Sequence, residues 1–170
     1  MILGQNSGVA ALCRIEEPTL QRALEFKTFK FPLVAAAMTD LPASPGAVRR
    51  DPSGRATLLH FAPGRFLVPA PTADVVRQLE ALQATRAGAL FDVDGKWQAF
   101  VLTGPAAERV LASTVDLTQV LSDRDCAALR LFDCPAILAP RPNAFDVWVE
   151  SSYASAFRDC ASRLAGSLVD

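Results

Sequence analysis

The chain has 170 residues, 51% hydrophobic and 21% charged, with a formal net charge of −1. Such a chain is one globular domain, or two small lobes on a shared core, and it buries enough surface to fold without disulfide or metal. The absence of a basic or acidic block argues against nucleic acid as the main partner, and no apolar run approaches the length of a membrane span. The start MILGQNSG lacks a basic region and a long apolar core. It does not read as a signal peptide, so the cytoplasm is the expected location.

Residues 1–40 carry weak signals. Glu17-Pro18-Thr19 opens a short predicted helix over Leu20 to Leu24. The run F-K-T-F-K-F-P, Phe26 to Pro32, has two readings. One is an anion-binding patch with stacking aromatics. The other is an amphipathic strand with Phe29 and Phe31 on one face and Lys30 on the other. With no basic excess elsewhere, the strand is favoured. Residues 41–56 are assigned to loop, because L-P-A-S-P-G and R-R-D-P-S-G concentrate proline and glycine there. Within it, Arg49-Arg50-Asp51 reads as a solvated turn in preference to an anion site.

Stronger signals follow. T-L-L-H-F (57–61) and R-F-L-V-P (65–69) are predicted strands joined by an Ala62-Pro63-Gly64 turn. Thr72 caps a helix over about 73–84, with Val75, Val76, Leu79 and Leu82 on one face. Ala89 to Val93 and Trp97 to Thr103 are strands joined at Asp94-Gly95, a tight-turn dipeptide. Gly104 reads as N-cap and Pro105 as the first residue of a helix reaching about Ala112, with Glu108 in its first turn. Strands are expected near Ala127–Phe132, Pro135–Ala139 and Phe145–Val149, with a turn at 141–143. In the last of these strands Phe145, Val147 and Val149 share a face. Ser151 or Ser152 is expected to cap a final helix, whose stripe is Tyr153, Phe157, Cys160, Ala161, Leu164 and Leu168. The order predicts an α+β fold, with helices packed on antiparallel or mixed sheets in ferredoxin-like strand-helix-strand units.

Residues that usually carry chemistry are few. His60 is the sole histidine, and alternation with Leu59 and Phe61 turns it outward on its strand. Asp92 and Asp94 share a strand face, but Asp94 belongs to the turn and Asp92 reads as solvated. Asp123-Arg124-Asp125 reads as a polar loop or a short helix start. Cys13, Cys126, Cys134 and Cys160 form no C-x-x-C pair and read as buried reduced thiols. Trp97 and Trp148 lie in strands, where packing is their usual role. No phosphate loop, dinucleotide fingerprint, nucleophile elbow or zinc-protease motif is present. No catalytic or metal-binding residue is assigned, and cofactor-binding residues are left unassigned.

Several motifs, in order, resemble the gamma subunit of heterotetrameric sarcosine oxidase. They are L-P-A-S-P-G, H-F-A-P-G-R-F-L-V-P-A-P, F-D-V-D-G-K-W-Q-A-F-V-L-T-G-P-A-A-E-R-V-L-A, V-D-L-T, C-P-A-I-L and F-D-V-W-V-E-S-S-Y-A-S-A-F. The resemblance spans Leu41 to Leu164. It implies the folate-binding fold shared with aminomethyltransferase and YgfZ-like proteins. It also implies an accessory, non-catalytic subunit whose larger partners carry FAD, FMN, NAD and tetrahydrofolate chemistry. The complex would demethylate an N-methyl amine oxidatively and pass the one-carbon unit to tetrahydrofolate.

This chain departs from the family pattern in places. Phe66 stands for a tryptophan, Asp94-Gly95 for a Ser-His, and Thr118 or Gln119 for a histidine. Pro69-Ala70-Pro71 stands where folate-binding relatives have Asn-Ala before their pterin carboxylate, so no site residue is carried over. Two alternatives remain at this point: a stand-alone folate-binding or YgfZ-like protein, and an independent hydrolase or transferase using His60 or the Asp pair. Self-association of the isolated chain is also left open.

Overall fold

The computed structural model describes residues 13–18, 22–29, 42 and 44–168. Ten strands among them form two five-stranded antiparallel sheets. The first contains β1 (Arg14–Glu16), β7 (Trp97–Thr103), β10 (Ala144–Glu150), β9 (Cys134–Arg141) and β8 (Ala127–Leu131), in that spatial order. The second contains β3 (Val48–Arg50), β4 (Ala56–Ala62), β5 (Arg65–Val68), β2 (Leu24–Thr28) and β6 (Gly88–Asp92). The sheets pack face to face. Leu59, Phe61 and Leu67 of the second meet Trp97, Ala99, Ile137, Ala139 and Trp148 of the first.

Helices close the two outer faces. Helix α1 (Ala73–Ala84) lays Leu79 and Leu82 over Leu24, Phe26, Leu58, Phe66 and Val68 of the second sheet. Helices α2 (Ala107–Ala112), α3 (Leu117–Val120) and α4 (Ala154–Ser167) share a core with Phe100, Leu102, Leu138, Val147 and Val149 of the first. The result is four layers, helix-sheet-sheet-helix, an α+β architecture of the predicted class. Central strands are therefore buried on both faces. On β10, Phe145, Val147 and Val149 point to the helices, and Trp148 points between the sheets.

Several elements form as expected. Thr72 caps α1, its hydroxyl accepting from the Val75 N–H. Gly64 takes φ +65° in the β4–β5 turn. Other expectations are corrected. Asp94-Gly95 makes a tight turn, with Gly95 at φ +73°, but not a hairpin. Strand β6 pairs with β2 in one sheet, and β7 pairs with β10 and β1 in the other. The turn carries the chain between sheets, and Asp94 Oδ1 secures it by accepting from the Ala23 N–H at 2.7 Å.

The helix after Gly104 starts at Ala107, with Ala106 at the cap and no side-chain cap bond. Gly104 instead takes φ +100°, a conformation that only glycine adopts without strain. Neither Ser151 nor Ser152 caps α4. A 3₁₀ turn, Ser151–Tyr153, runs straight into it, and Tyr153 at the cap has helical backbone angles and no side-chain bond.

The loop assigned to 41–56 contains β3 and the first residue of β4. Arg50 is fixed within it, donating to the Gly54 carbonyl at 3.0 Å and the Pro140 carbonyl at 2.5 Å. The aromatic-basic strand begins earlier than expected, at Leu24, and ends at Thr28. Phe26 is its buried aromatic, whereas Phe29 is 75% exposed. Leu24 opens this strand and Arg22 and Ala23 are irregular, so the described end of the helix expected over 20–24 is not helical. Residues 1–12, 19–21, 30–41, 43 and 169–170 lie outside the described residues, and with them Phe31, Lys30 and parts of L-P-A-S-P-G.

Candidate functional site

At one corner the two sheets part around a cleft of about 280 Å³. The first sheet supplies Ala99 of β7, Arg141 of β9, and Asp146 and Trp148 of β10. The second supplies Ala56 and Thr57 of β4, with Pro69 and Ala70 just after β5. Alternation along β10 explains the central pair: residues 146 and 148 sit two apart, on the face away from the helices.

Arg141 Nε donates to Asp146 Oδ1 at 3.0 Å. The side chain of Asp146 is only 8% exposed, and its Oδ2 is buried without a hydrogen-bond partner among the described residues. Trp148 Nε1 is buried and unpartnered in the same sense. A buried polar atom left unsatisfied costs about 1–3 kcal/mol. Two such atoms, one acceptor and one donor, on one strand face of one cleft mark it as the candidate site.

A second polar cluster joins the sheets elsewhere. Glu25 of β2 is 2% exposed. Its carboxylate accepts from Trp97 Nε1 at 2.9 Å, from Lys96 Nζ, and from Arg65 at 3.4 Å. Burial alone would raise its pKa. The hydrogen bonds from Lys96 and Trp97 and the charges of Lys96 and Arg65 outweigh that and hold it below the usual carboxylate range. The bonds from Trp97 and Lys96 tie the second sheet to the start of β7 in the first, while Arg65 comes from the neighbouring strand β5 of the same sheet.

The residues singled out in the sequence do not gather in the cleft. His60 does lie on the opposite strand face from Leu59 and Phe61, as alternation requires, but it is fully buried. It stacks on Phe66 with ring centroids 4.2 Å apart, and its Nδ1 lies 3.1 Å from the Pro42 carbonyl. Burial lowers its pKa below the ordinary imidazole value.

Asp92 is exposed, pairs with Arg22 at 3.5 Å, and accepts from the Asp94 N–H. Asp94 holds the Ala23 N–H, so both carboxylates serve the turn. Asp51 reaches the cleft lining, but its Oδ1 is taken by Ser53 and the Arg55 N–H. The Ser53 bonds, above all, lower its pKa. The Asp125 N–H donates to the Gly46 carbonyl, and the Arg124 side chain lies beneath Gly46.

The four cysteines are free thiols, three of them buried. No group of three or more His, Cys, Asp or Glu residues among those described is placed to hold a metal. Trp97 serves the Glu25 clamp and Trp148 the cleft. Sequence reasoning missed Glu25, Arg141 and Asp146. The one available signal was the spacing of Asp146 and Trp148 within an otherwise apolar strand.

Two stacked antiparallel sheets with helices on both outer faces form the folate-binding-type fold of aminomethyltransferase-like proteins. Two solved structures establish this. A chain of heterotetrameric sarcosine oxidase from Corynebacterium sp. U-96, in complex with pyrrole 2-carboxylate, matches with a TM-score of 0.70 and 22% identity. The match covers 90% of this chain and 85% of that one, so the two are nearly equal in length. Glycine cleavage system aminomethyltransferase T from Bartonella henselae matches with a TM-score of 0.61 and 13% identity. There the match covers 89% of this chain but only 45% of the enzyme. No protein-family model and no curated protein matches the chain.

Proposed function

We propose that this chain is an accessory, non-catalytic gamma-type subunit of a sarcosine-oxidase-like heterotetrameric flavoenzyme. The observation that carries this reading is the match to a chain of heterotetrameric sarcosine oxidase along nearly the whole of both chains. The ordered motifs from Leu41 to Leu164 support it independently. The chain works by position: its sheets and helices brace a larger subunit. That subunit, with its other partners, carries FAD, FMN, NAD and tetrahydrofolate. The assembly oxidises an N-methyl amine and passes the one-carbon unit to tetrahydrofolate, in the cytoplasm. No helix among the described residues is long and apolar enough to cross a membrane.

Exposed aromatics also support an interface. Phe29 and Phe91 are open to solvent near one edge of the second sheet, and Lys27 Nζ lies 5.3 Å from the Phe91 ring centroid. Large exposed apolar groups, one on edge strand β6 and one just after β2, suit a partner surface.

Co-expression of a tagged chain with the neighbouring open reading frames tests the proposal. Recovery of a stoichiometric, flavin-yellow complex is the expected result. A colourless chain purified alone, although the neighbours are expressed and folded, would overturn it. Calorimetric titration of tetrahydrofolate onto the isolated chain is the second arm. Saturable heat would favour the stand-alone folate-binding alternative.

A further inference from the structure

We infer that the open edge of β6 is the docking site for an extended segment of another protein, which carries a carboxylate between two apolar residues and joins the second sheet as a sixth strand. This deepens the subunit reading by naming the chemistry of the partner's contact, and it rests on that reading only for which partner supplies the segment.

Four strands end the two sheets, and three of them are guarded. A bare edge presents unpaired backbone groups, which proteins blunt with short strands, charges, bulges or proline. Strand β1 has three residues, two of them charged. Strand β3 has three, with two arginines and a bulge. Strand β8 carries Arg130. Strand β6 has five residues, no basic side chain, no proline and an unbroken register against β2. Its one charge, Asp92, is at the end and pairs with Arg22 at 3.5 Å.

The register shows which backbone groups this edge offers. Just beyond the ladder of β2 and β6, the Val93 N–H donates to the Ala23 carbonyl and the Phe29 N–H to the Ala87 carbonyl. Bonded pairs alternate with unbonded ones in an antiparallel ladder. Counting inward from both ends, Ala89 is bonded to Lys27 and Phe91 to Glu25. Gly88, Leu90 and Asp92 then turn their N–H and C=O groups away from β2, to the open side.

The side chains define what the added strand carries. Residues two apart share a face, and so do register partners. Phe29, Lys27 and Glu25 therefore share one with Ala89 and Phe91. Phe29 is 75% exposed and Phe91 43%, about 13 Å apart along the strands. Between them, Lys27 Nζ lies 5.3 Å from the Phe91 ring centroid and has no carboxylate partner among the described residues. Glu25, the carboxylate on this face, is buried and already accepts from Lys96, Trp97 and Arg65. The face presents an apolar, a cationic and an apolar group in turn, and a strand alternating apolar, acidic and apolar complements it. A second copy of β6 does not: two copies edge to edge bring two Lys27 ammonium groups to one joint and no open carboxylate on that face.

The test titrates the ¹⁵N-labelled full chain with a capped peptide, Thr-Val-Thr-Glu-Thr-Val-Thr, whose valines and glutamate share one face. The Leu90 and Asp92 amide signals should shift saturably, and those of Ala89 and Phe91, already bonded to β2, should shift less. The same peptide with lysine in place of glutamate should bind at least threefold more weakly, and Lys27→Gln should close that gap. Asp92→Pro removes an outward N–H at an edge position that tolerates proline, and should weaken the glutamate peptide at least tenfold.

Absence of a saturable shift at Leu90 and Asp92 would overturn the inference. Equal binding of the lysine peptide by the wild type, or a gap unchanged in Lys27→Gln, would overturn the acidic partner. Shifts at Leu90 and Asp92 that come with rising protein concentration alone would assign the edge to a second copy. The peptide comparison is made on the wild-type chain, so misfolding of a variant cannot rescue the inference. A failed titration leaves the subunit reading standing, and a failed co-expression leaves the titration standing, so the two fall separately.

Discussion

Replacing Glu25 with alanine asks whether one buried carboxylate locks the two sheets together. The carboxylate accepts from Trp97 Nε1, Lys96 and Arg65. The two cations have an escape: the Lys96 and Arg65 side chains are 38% and 42% exposed and can turn to water. Screened by solvent, each pair contributes only about 0.2–1 kcal/mol. The Trp97 indole is 7% exposed and has no such escape. Its stranded N–H costs about 1–3 kcal/mol, and the lost methylene adds about 0.8 kcal/mol. The stranded N–H and the lost methylene together come to about 3 kcal/mol, before the two solvent-screened pairs are counted. With a urea slope of about 2 kcal/mol/M, the unfolding midpoint should fall by about 1.5 M. Glu25→Gln keeps an acceptor for the indole and should lose about 1 kcal/mol.

Acid gives a second readout of the same group. The folded carboxyl has a lowered pKa, so its contribution is complete above the unfolded value of about 4.3 and is lost as pH falls through the lower folded value. The wild type should therefore lose stability more steeply than Glu25→Gln below about pH 4.3. An alanine variant within about 0.5 kcal/mol of wild type, well under the cost of one stranded donor, would refute the clamp. So would parallel pH profiles for wild type and the glutamine variant.

Three further outcomes follow from burial and backbone geometry. Gly88→Ala places a methyl group against the Lys27 carbonyl and the Phe26 ring, so it should cost about 1–3 kcal/mol. A melting temperature within 1 °C of wild type, below the roughly 2–4 °C per kcal/mol typical of this size, would contradict that. Burial, above all, pushes the Cys126 thiol up to about 12, so in the native protein it should resist iodoacetamide while half-exposed Cys160 reacts; mass mapping that finds Cys126 labelled first would be decisive against this. Burial, above all, lowers the His60 pKa, so its ring should titrate below the ordinary imidazole value by NMR, and an imidazole that titrates at or above that value would exclude that environment.

Local features were readable from the chain because their causes are local. Thr72 before an apolar helical stripe fixes α1, and Ala62-Pro63-Gly64 between two β-rich runs fixes the β4–β5 turn. The division into two sheets was not readable in this way. Asp-Gly forms the same tight turn whether the next strand returns beside the last or crosses to another sheet. The flanking strands held the deciding signal. In β7, Trp97 and Ala99 bury on one face and Phe100 and Leu102 on the other, the mark of a central strand. In β6, Phe91 and Asp92 are exposed and Leu90 is only partly buried, the mark of an edge. Strands with such different patterns make poor hairpin partners.

The same one-sided reading hid the candidate site. Alternation sends His60 to the face opposite Leu59 and Phe61, and it sends Asp146 and Trp148 to the face opposite Phe145, Val147 and Val149. In a two-layer protein those second faces meet water, and a polar residue there is unremarked. In four layers the second face of a central strand meets another layer, so the polar residues it carries are buried and must find partners. His60 meets the Pro42 carbonyl and the Phe66 ring. Glu25 meets Lys96, Trp97 and Arg65. Asp146 meets Arg141 with one oxygen only, and Trp148 Nε1 meets nothing among the described residues. Buried polar groups that the fold pairs work as structure, and Asp146 Oδ2 and Trp148 Nε1, buried beside the cleft, stand without a partner among the described residues.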